Sequence, residues 1–339
     1  MITIYDIAKR SGYSITTVSK ALNGYTDISE KTRRKIQKLA EEMGYRPNSA
    51  ARSLSMKRSW MIGVFFQDHV NSGLLHPFFI EVIESFKKEV GKKGYDLLFF
   101  ANQLGEKEIS YVDHSEHRNV DGVIILGLSR NDPFLSELVQ SEIPCVSVDL
   151  DLVGKQVGYI TSDNIEGALQ AMEYLSSLGH RKIAHISGIL ETLAGQQRYI
   201  GYQRAIEKLG LVYRSDYIVD GNYTVEGGEK AMKKLLSLHE PPTAVFAAGD
   251  LMAIGAIKAA KEAGLRIPED LSVVGFDNIS FSQYISPPLT TVHQQKDLLG
   301  IKAAEALLNL IEEKDTVPSI LTIKTQLMIR ESCAPPAKP

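Results

Sequence analysis

The chain has 339 residues, 44% of them hydrophobic and 23% charged, with a formal net charge of −3. That is material for two or three ordinary soluble domains whose cores need no covalent staples. Cys145 and Cys333 lie too far apart to suggest a disulfide framework, apolar runs such as Met61–Phe66 are too short to span a bilayer, and the amino terminus has no apolar signal stretch. A cytoplasmic protein is expected.

The small net charge conceals an asymmetry. Residues 1–60 hold twelve Lys/Arg against five Asp/Glu, a balance of +7, and the rest of the chain holds 26 against 36, a balance of −10. A cationic lobe fused to an anionic one predicts that only the first meets a polyanion.

In chain order, the first segment reads as three short helices. Thr3 and Asp6 have the spacing of a capping box, and Ile4, Ile7 and Ala8 share one helical face. Gly12 suits a left-handed helix end, and Ser14 starts a second helix at 15–23, with Val18, Ala21 and Leu22 inward. Ser29 starts a third helix that runs to about residue 43, with Ile36, Leu39, Ala40 and Met43 as its apolar stripe. Two helices joined by a short glycine-containing turn, backed by a third, form a helix-turn-helix unit over 1–46. Residues 47–59 contain a polar stretch of two helical turns, which is too short to be stable alone.

From Trp60 the pattern changes to β-rich runs alternating with amphipathic helices. Strands are expected at 61–67, 95–101, 122–127, 145–150 and 158–161, and again at 182–187, 217–220, 244–248 and 272–276. Helices are expected at 78–93, 165–178, 199–209, 225–238 and 251–263, with a last helix at 296–311 and a last strand at 320–328. Repeated βα alternation implies parallel sheets covered on both faces, and two successive sets imply two similar subdomains around a cleft. The Pro-rich end, 333–339, is expected to be disordered.

These residues resemble the LacI/GalR (lactose-repressor) family of transcriptional regulators. The resemblance is carried by Thr3-Ile4-Tyr5-Asp6-Ile7-Ala8, Ser14-Ile15-Thr16-Thr17-Val18-Ser19 and Gly44-Tyr45-Arg46-Pro47-Asn48. The core adds His76-Pro77-Phe78-Phe79, Val120-Asp121-Gly122-Val123, Gly179-His180-Arg181, Gly249-Asp250, Val274-Gly275-Phe276-Asp277-Asn278 and Pro288-Leu289-Thr290-Thr291. It implies an α/β fold: a three-helix headpiece at 1–46, a hinge helix at 47–59, and a periplasmic-binding-protein-like core of two Rossmann-like subdomains at 60–332. The N-subdomain would take about 60–161 and 291–321, and the C-subdomain about 162–290 and 322–332.

The implied function is a homodimeric, cytoplasmic, nucleoid-associated repressor on a pseudo-palindromic double-stranded operator. The resemblance places base contacts at Ile15, Thr16 and Lys20, at the start of the second helix, where a major-groove reader meets base edges. Lys20 stands where the family often has arginine, and without the bidentate fork its base preference should differ. Thr3, Tyr5, Thr17, Asn23, Thr32, Tyr45 and Asn48 fit phosphate contacts that set register, although capping and packing explain several equally well. Arg52, Leu54 and Ser55 fall in the hinge, where the leucine would wedge into the minor groove.

Ligands of open α/β sheets bind beyond the carboxyl ends of strands, and those ends are rich in polar residues here. Asp149, Asp163, Asp250 and Asp277 follow strands, and the resemblance makes Arg198 and Asp277 effector ligands, Tyr223 a stacking aromatic, and Phe78 and Phe79 a further wall. Carboxylates beside one guanidinium suit a hydroxyl-rich neutral molecule, so a small sugar is expected. A purine-binding branch carries a second arginine where this chain has Thr192. A catabolite-control branch using a phosphocarrier protein as co-effector, and a purine or nucleoside response, are the alternatives. No phosphate loop, zinc-protease pair or nucleophile elbow is present, so neither enzymatic activity, cofactor nor metal is expected.

Overall fold

The computed structural model describes residues 2–23, 25, 27–45, 58–66, 76–101, 103–104, 107–313 and 317–337. The chain divides into two compact units, Met1–Trp60 and Met61–Pro339. The proposed hinge contacts Asn48, Arg52, Leu54 and Ser55 lie outside the described residues.

Among the described residues the first unit holds three helices, α1 (Ile4–Ser11), α2 (Ile15–Leu22) and α3 (Glu30–Glu42). Asp6 accepts from both the amide and the hydroxyl of Thr3, at 2.8 and 2.7 Å, which closes the first turn. Gly12 ends α1 at φ +74°, a conformation that glycine adopts without strain. Ser14 and Ser29 cap the other two helices by accepting from the amides of Thr17 and Thr32. Ile7, Ala8, Val18, Ala21, Ile36 and Ala40 form the buried centre.

The second unit contains two parallel sheets. The first has the order β13-β7-β6-β5-β1-β2, comprising β1 (Met61–Phe66), β2 (Asp96–Phe99), β5 (Gly122–Leu126), β6 (Cys145–Val148), β7 (Val157–Ser162) and β13 (Ile320–Ile323). A two-residue pair, β3 (Gln103–Leu104) and β4 (Lys107–Glu108), lies apart from it. The second sheet has the order β14-β12-β11-β10-β8-β9, comprising β8 (Ile183–Ser187), β9 (Ile218–Asp220), β10 (Ala244–Ala247), β11 (Ser272–Asp277), β12 (Thr290–His293) and β14 (Gln326–Met328). Only β14 runs antiparallel to its neighbour among the described ladders of these two sheets.

The helices of this unit are α4 (Pro77–Gly91), α5 (Tyr111–Arg118), α6 (Leu135–Gln140), α7 (Asn164–Ser177), α8 (Leu193–Lys208), α9 (Val225–Leu236), α10 (Asp250–Glu262) and α11 (Lys296–Glu312). Strand alternation assigns their partners. In the second sheet Ala184, Ile186, Val245, Ala247 and Val273 face the apolar sides of α9 and α10. Ile183, Ala244, Phe246, Val274 and Phe276 face α7 and α8.

Three expectations are corrected. The single strand expected at 320–328 is two strands in different sheets, because the polar link Lys324-Thr325 carries the chain from one subdomain to the other. β12 belongs to the second sheet, pairing in parallel with β11, so the chain returns to the first subdomain at Gln294 rather than at 291. The tail is ordered at its start. His180 Nε2 lies 2.9 Å from the carbonyl of Ala334, and the amide of Ala334 donates to Ser272 Oγ at 3.0 Å. Those bonds hold a segment whose proline content had suggested disorder.

Candidate functional site

In the headpiece, Ile15 and Thr16 open α2 and are exposed, Ile15 at 43%. Lys20, one turn on, is paired with Asp27 and only partly exposed. Tyr5 is exposed on α1. Thr17 is half-buried, with its hydroxyl 2.8 Å from Ser14 Oγ. Thr32 makes the equivalent contact with Ser29, at 2.9 Å. Asn23 ends α2 and donates to Ser19 Oγ at 3.3 Å. Tyr45 packs partly against the headpiece centre, and Thr3 is held by Asp6.

In the core, the carboxyl ends of β6, β7, β10 and β11 converge on one guanidinium. Arg198, in the second turn of α8, is only 3% exposed. Its Nε donates to Asn164 Oδ1 at 2.9 Å, and its Nη1 donates to the carbonyl of Ala248 at 2.6 Å and to Asp277 Oδ1 at 3.2 Å. The guanidinium lies 3.8 Å from the centre of the Phe276 ring, a cation–π contact in a desolvated setting. Asp277 Oδ1 also accepts from Gln294 Nε2 at 2.6 Å. Asp149 Oδ1 accepts from Thr161 Oγ1 at 2.7 Å. Burial raises the Asp149 carboxyl above the usual range, while the Thr161 hydroxyl and the Arg198 charge oppose that rise.

The backbone around this cluster is unusual. Asp149, Asn222, Tyr223, Asp277 and Asn278 all have positive φ, at 55°, 48°, 53°, 105° and 51°. Non-glycine residues held there cost roughly 1–3 kcal/mol each, and such residues gather at binding sites. Tyr223 lies so close to Gly188 that a Cβ at that glycine would overlap its ring. The Tyr223 hydroxyl is buried beside the hydroxyl of Thr192, which itself donates to Ile189 O and accepts from the amide of Gly195. Burial raises the Tyr223 phenol pKa. Gly188→Ala should displace the ring; on the expectation that Tyr223 stacks on an effector, it should weaken effector binding about tenfold or more, a loss that isothermal titration would measure.

The other expected ligand residues are placed differently. Asp163 caps α7 by accepting from the amide of Glu166 at 3.1 Å. Asp250 is fully buried, and both its oxygens are used by the protein: Oδ2 accepts from the amide of Ile279 at 2.8 Å, and Oδ1 from Thr291 Oγ1 at 2.5 Å. It braces the loop that carries Asp277 rather than facing outward. Burial, reinforced by the nearby Asp277, pushes its carboxyl up to about 8. Phe78 is turned into the core. Phe79 is partly exposed, 5.2 Å from the Phe66 ring and 5.0 Å from the His76 ring.

Residue patterns did not single out Asn164, Gln294, Lys296 or Arg130. Asn164 is fully buried and joins Arg198 to the Gln197 side chain, to which it donates at 3.1 Å. Arg130, after β5, holds Asp151 with two bonds of 2.7 Å and reaches Gln196 on α8 at 2.5 Å, bridging the two subdomains. Polar residues flanking strand ends were the signal available for all four.

Comparison with known proteins gives this geometry its context. Residues 3–48 match the family described as bacterial regulatory proteins, lacI family, and residues 172–333 match the periplasmic binding protein-like domain. The probable HTH-type transcriptional repressor ExuR of Bacillus subtilis is 39% identical over 98% of both chains. The transcriptional repressor PurR of Erwinia tasmaniensis is 37% identical, over 98% of this chain and 97% of its own. The lac repressor dimer bound to operator and the anti-inducer ONPF aligns over 98% of this chain and 99% of its own, with a TM-score of 0.81 and 28% identity. The regulator CelR in complex with cellobiose aligns over 98% and 100%, with a TM-score of 0.73 and 31% identity. Among the described residues no helix is long and apolar enough to cross a membrane. The chain belongs to the LacI family of bacterial regulatory proteins.

Proposed function

We propose that this chain is a sequence-specific transcriptional repressor. Its headpiece reads a pseudo-palindromic operator as part of a homodimer, and its core binds a small hydroxylated effector, most simply a sugar. The single observation that supports the effector reading best is the cluster of buried Arg198 and Asp277 with half-buried Asp149 and Tyr223, three of the four held at positive φ. It offers carboxylate acceptors, a guanidinium and a phenol to a ring bearing hydroxyls. The cellobiose complex of CelR, a relative over the full length, supports the same class.

On the DNA side the reading rests on Ile15 and Thr16 standing exposed at the start of α2, within a unit of charge +7. The experiment is selection of duplexes from a randomised pseudo-palindromic library by the full chain, followed by anisotropy titration with and without residues 1–60. Selection of a two-fold related sequence, lost on truncation, is expected. Recovery of random sequence would end the reading. Lys20→Ala should cost about 1–3 kcal/mol at one base pair of each half-site, whereas Thr17→Ala should weaken all sequences alike. A thermal-shift screen of neutral sugars against purines then tests the effector class, and stabilisation by purines alone would overturn it.

A further inference from the structure

We propose that Lys296 is a positioning residue that sets the effector loop Asp277–Asn278 and ties it, through Glu81, to α4 of the opposite subdomain. Lys296 is the first residue of α11, and it is 4% exposed. Two physical effects disfavour a cation at that place. Burial removes its hydration, and the positive end of the helix dipole repels it. A long apolar side chain would fill the position without either cost, so packing alone does not account for an ammonium here.

The ammonium has three donors and three acceptors within reach. It donates to the carbonyl of Asp277 at 3.0 Å and to that of Asn278 at 2.8 Å, and lies 3.5 Å from Glu81 Oε2. The two carbonyls belong to consecutive residues with positive φ, at 105° and 51°. Adjacent carbonyls in such a bend converge on one cation, which offsets part of the strain of the bend. The same loop is held from its other side by Asp250, through the amide of Ile279. Gln294 holds the Asp277 carboxylate, and Thr291, His293 and Arg330 hold the amide and side chain of Asn278. Lys296 adds the hold on the two backbone carbonyls and the tie to Glu81 on the other side of the subdomain boundary.

The boundary matters because α11 packs on α4 and on β5, β6 and β7 of the first sheet. Gly300 of α11 sits so close to α4 that a Cβ there would overlap the carbonyl of Val82. Lys296 thus moves with the first subdomain while its carbonyl partners move with the second. Glu81 fixes the ammonium from the α4 side, five residues into a helix that opens with Phe78 and Phe79. A shift of Asp277 on taking up an effector reaches α4 by this route, a direct contact between an effector ligand and the opposite subdomain.

The proposal rests on the reading of Asp277 as an effector ligand, but its test uses no effector and no DNA, so the two fail separately. Amide hydrogen exchange is followed in the intact chain for wild type, Glu81→Gln, Lys296→Met, the double variant and Glu84→Gln. Glu84 lies on the same helix and, among the described residues, pairs with Lys87 and Lys88, so it serves as the control. Lys296→Met should speed exchange at residues 276–279 about tenfold or more. Glu81→Gln, which among the described residues makes no hydrogen bond or ion pair with 276–279, should speed it about threefold or more, with no further increase in the double variant over Lys296→Met. Wild-type exchange at 276–279 in Glu81→Gln would overturn the proposal, and so would an equal change from Glu84→Gln. If Lys296→Met fails to fold, the comparison of Glu81→Gln with Glu84→Gln decides alone.

Discussion

Replacing Arg198 by Leu will remove the effector response altogether and cost the core roughly 3–5 kcal/mol, the range expected when one partner of a buried ion pair is deleted. The size follows from what is left behind. Asp277 keeps Gln294 but loses the guanidinium, and the carbonyl of Ala248 and Oδ1 of Asn164 lose the donors that Arg198 supplies. Three buried acceptors would then face an apolar side chain, each with a desolvation penalty of about 1–3 kcal/mol before relaxation. Arg198→Lys keeps the charge but not the fork. One ammonium cannot reach Asn164, Ala248 and Asp277 with the guanidinium's geometry, so it should recover part of the stability and little of the binding. Urea unfolding with the best stabilising sugar present and absent measures both effects. A Leu variant with the wild-type midpoint and the wild-type ligand shift would show that this cluster is neither the brace nor the binding site.

The same cluster shows how far a sequence can be read. The alternation of apolar strands and amphipathic helices was legible because both faces of each sheet are covered, which leaves unbroken runs such as Val123–Leu126 and Val273–Phe276. The helix starts at Thr3, Ser14 and Ser29 were legible because capping is a local event. Where the reading failed, long-range pairing decided. Nothing within 320–328 announces that Ile323 and Gln326 join different sheets, since the partners Ser162 and His293 lie far away in sequence. The short helices α5 and α6 went unseen because they bury few residues, His114 and Ser115 in one case and Leu135 and Leu138 in the other.

Resemblance drew attention to Arg198 and Asp277, which the fold brings within hydrogen-bond distance, but nothing local in the sequence announces the buried bonds of Asp250. Its role depends on the chain folding back at Ile279 and on Thr291 of a neighbouring strand. Gln294 and Lys296 look in sequence like the solvated first turn of a helix. Only the packing of α11 against α4, with the Asp277 loop laid over its start, turns them inward.

Two buried groups of the second sheet and its helices will give the stability of the core opposite pH dependences. Asp250 has an ordinary value of 3.8 and is pushed up to about 8, chiefly by burial. Through that interval the folded chain keeps a proton that the unfolded chain has released, so its contribution to stability is greatest at low pH and declines as pH rises. His185, fully buried in β8, lies between the rings of Tyr202 and Phe246 at 5.0 and 4.9 Å, and its Nδ1 is 3.0 Å from the Phe246 carbonyl. Its Nε2 has no partner among the described residues, and burial pushes its pKa from 6.5 down to about 4. Here the unfolded chain binds the extra proton, so stability is complete above pH 6.5 and is lost as pH falls toward 4. Each pH unit over which one proton is held unequally is worth about 1.4 kcal/mol, which makes the acid loss at His185 roughly 3 kcal/mol. Urea midpoints of wild type, Asp250→Asn and His185→Phe between pH 4.5 and 8 separate the two. Asp250→Asn should gain on wild type as pH rises from 5 to 8, because an amide has no proton to lose. His185→Phe should gain on wild type as pH falls below 6.5. Burial also lowers the pKa values of His114, His180 and His293, but these residues are common to all three proteins and cancel in the differences. Three parallel curves would mean that neither group is as desolvated as its place in the fold requires, and that the brace holding the Asp277 loop is open to water.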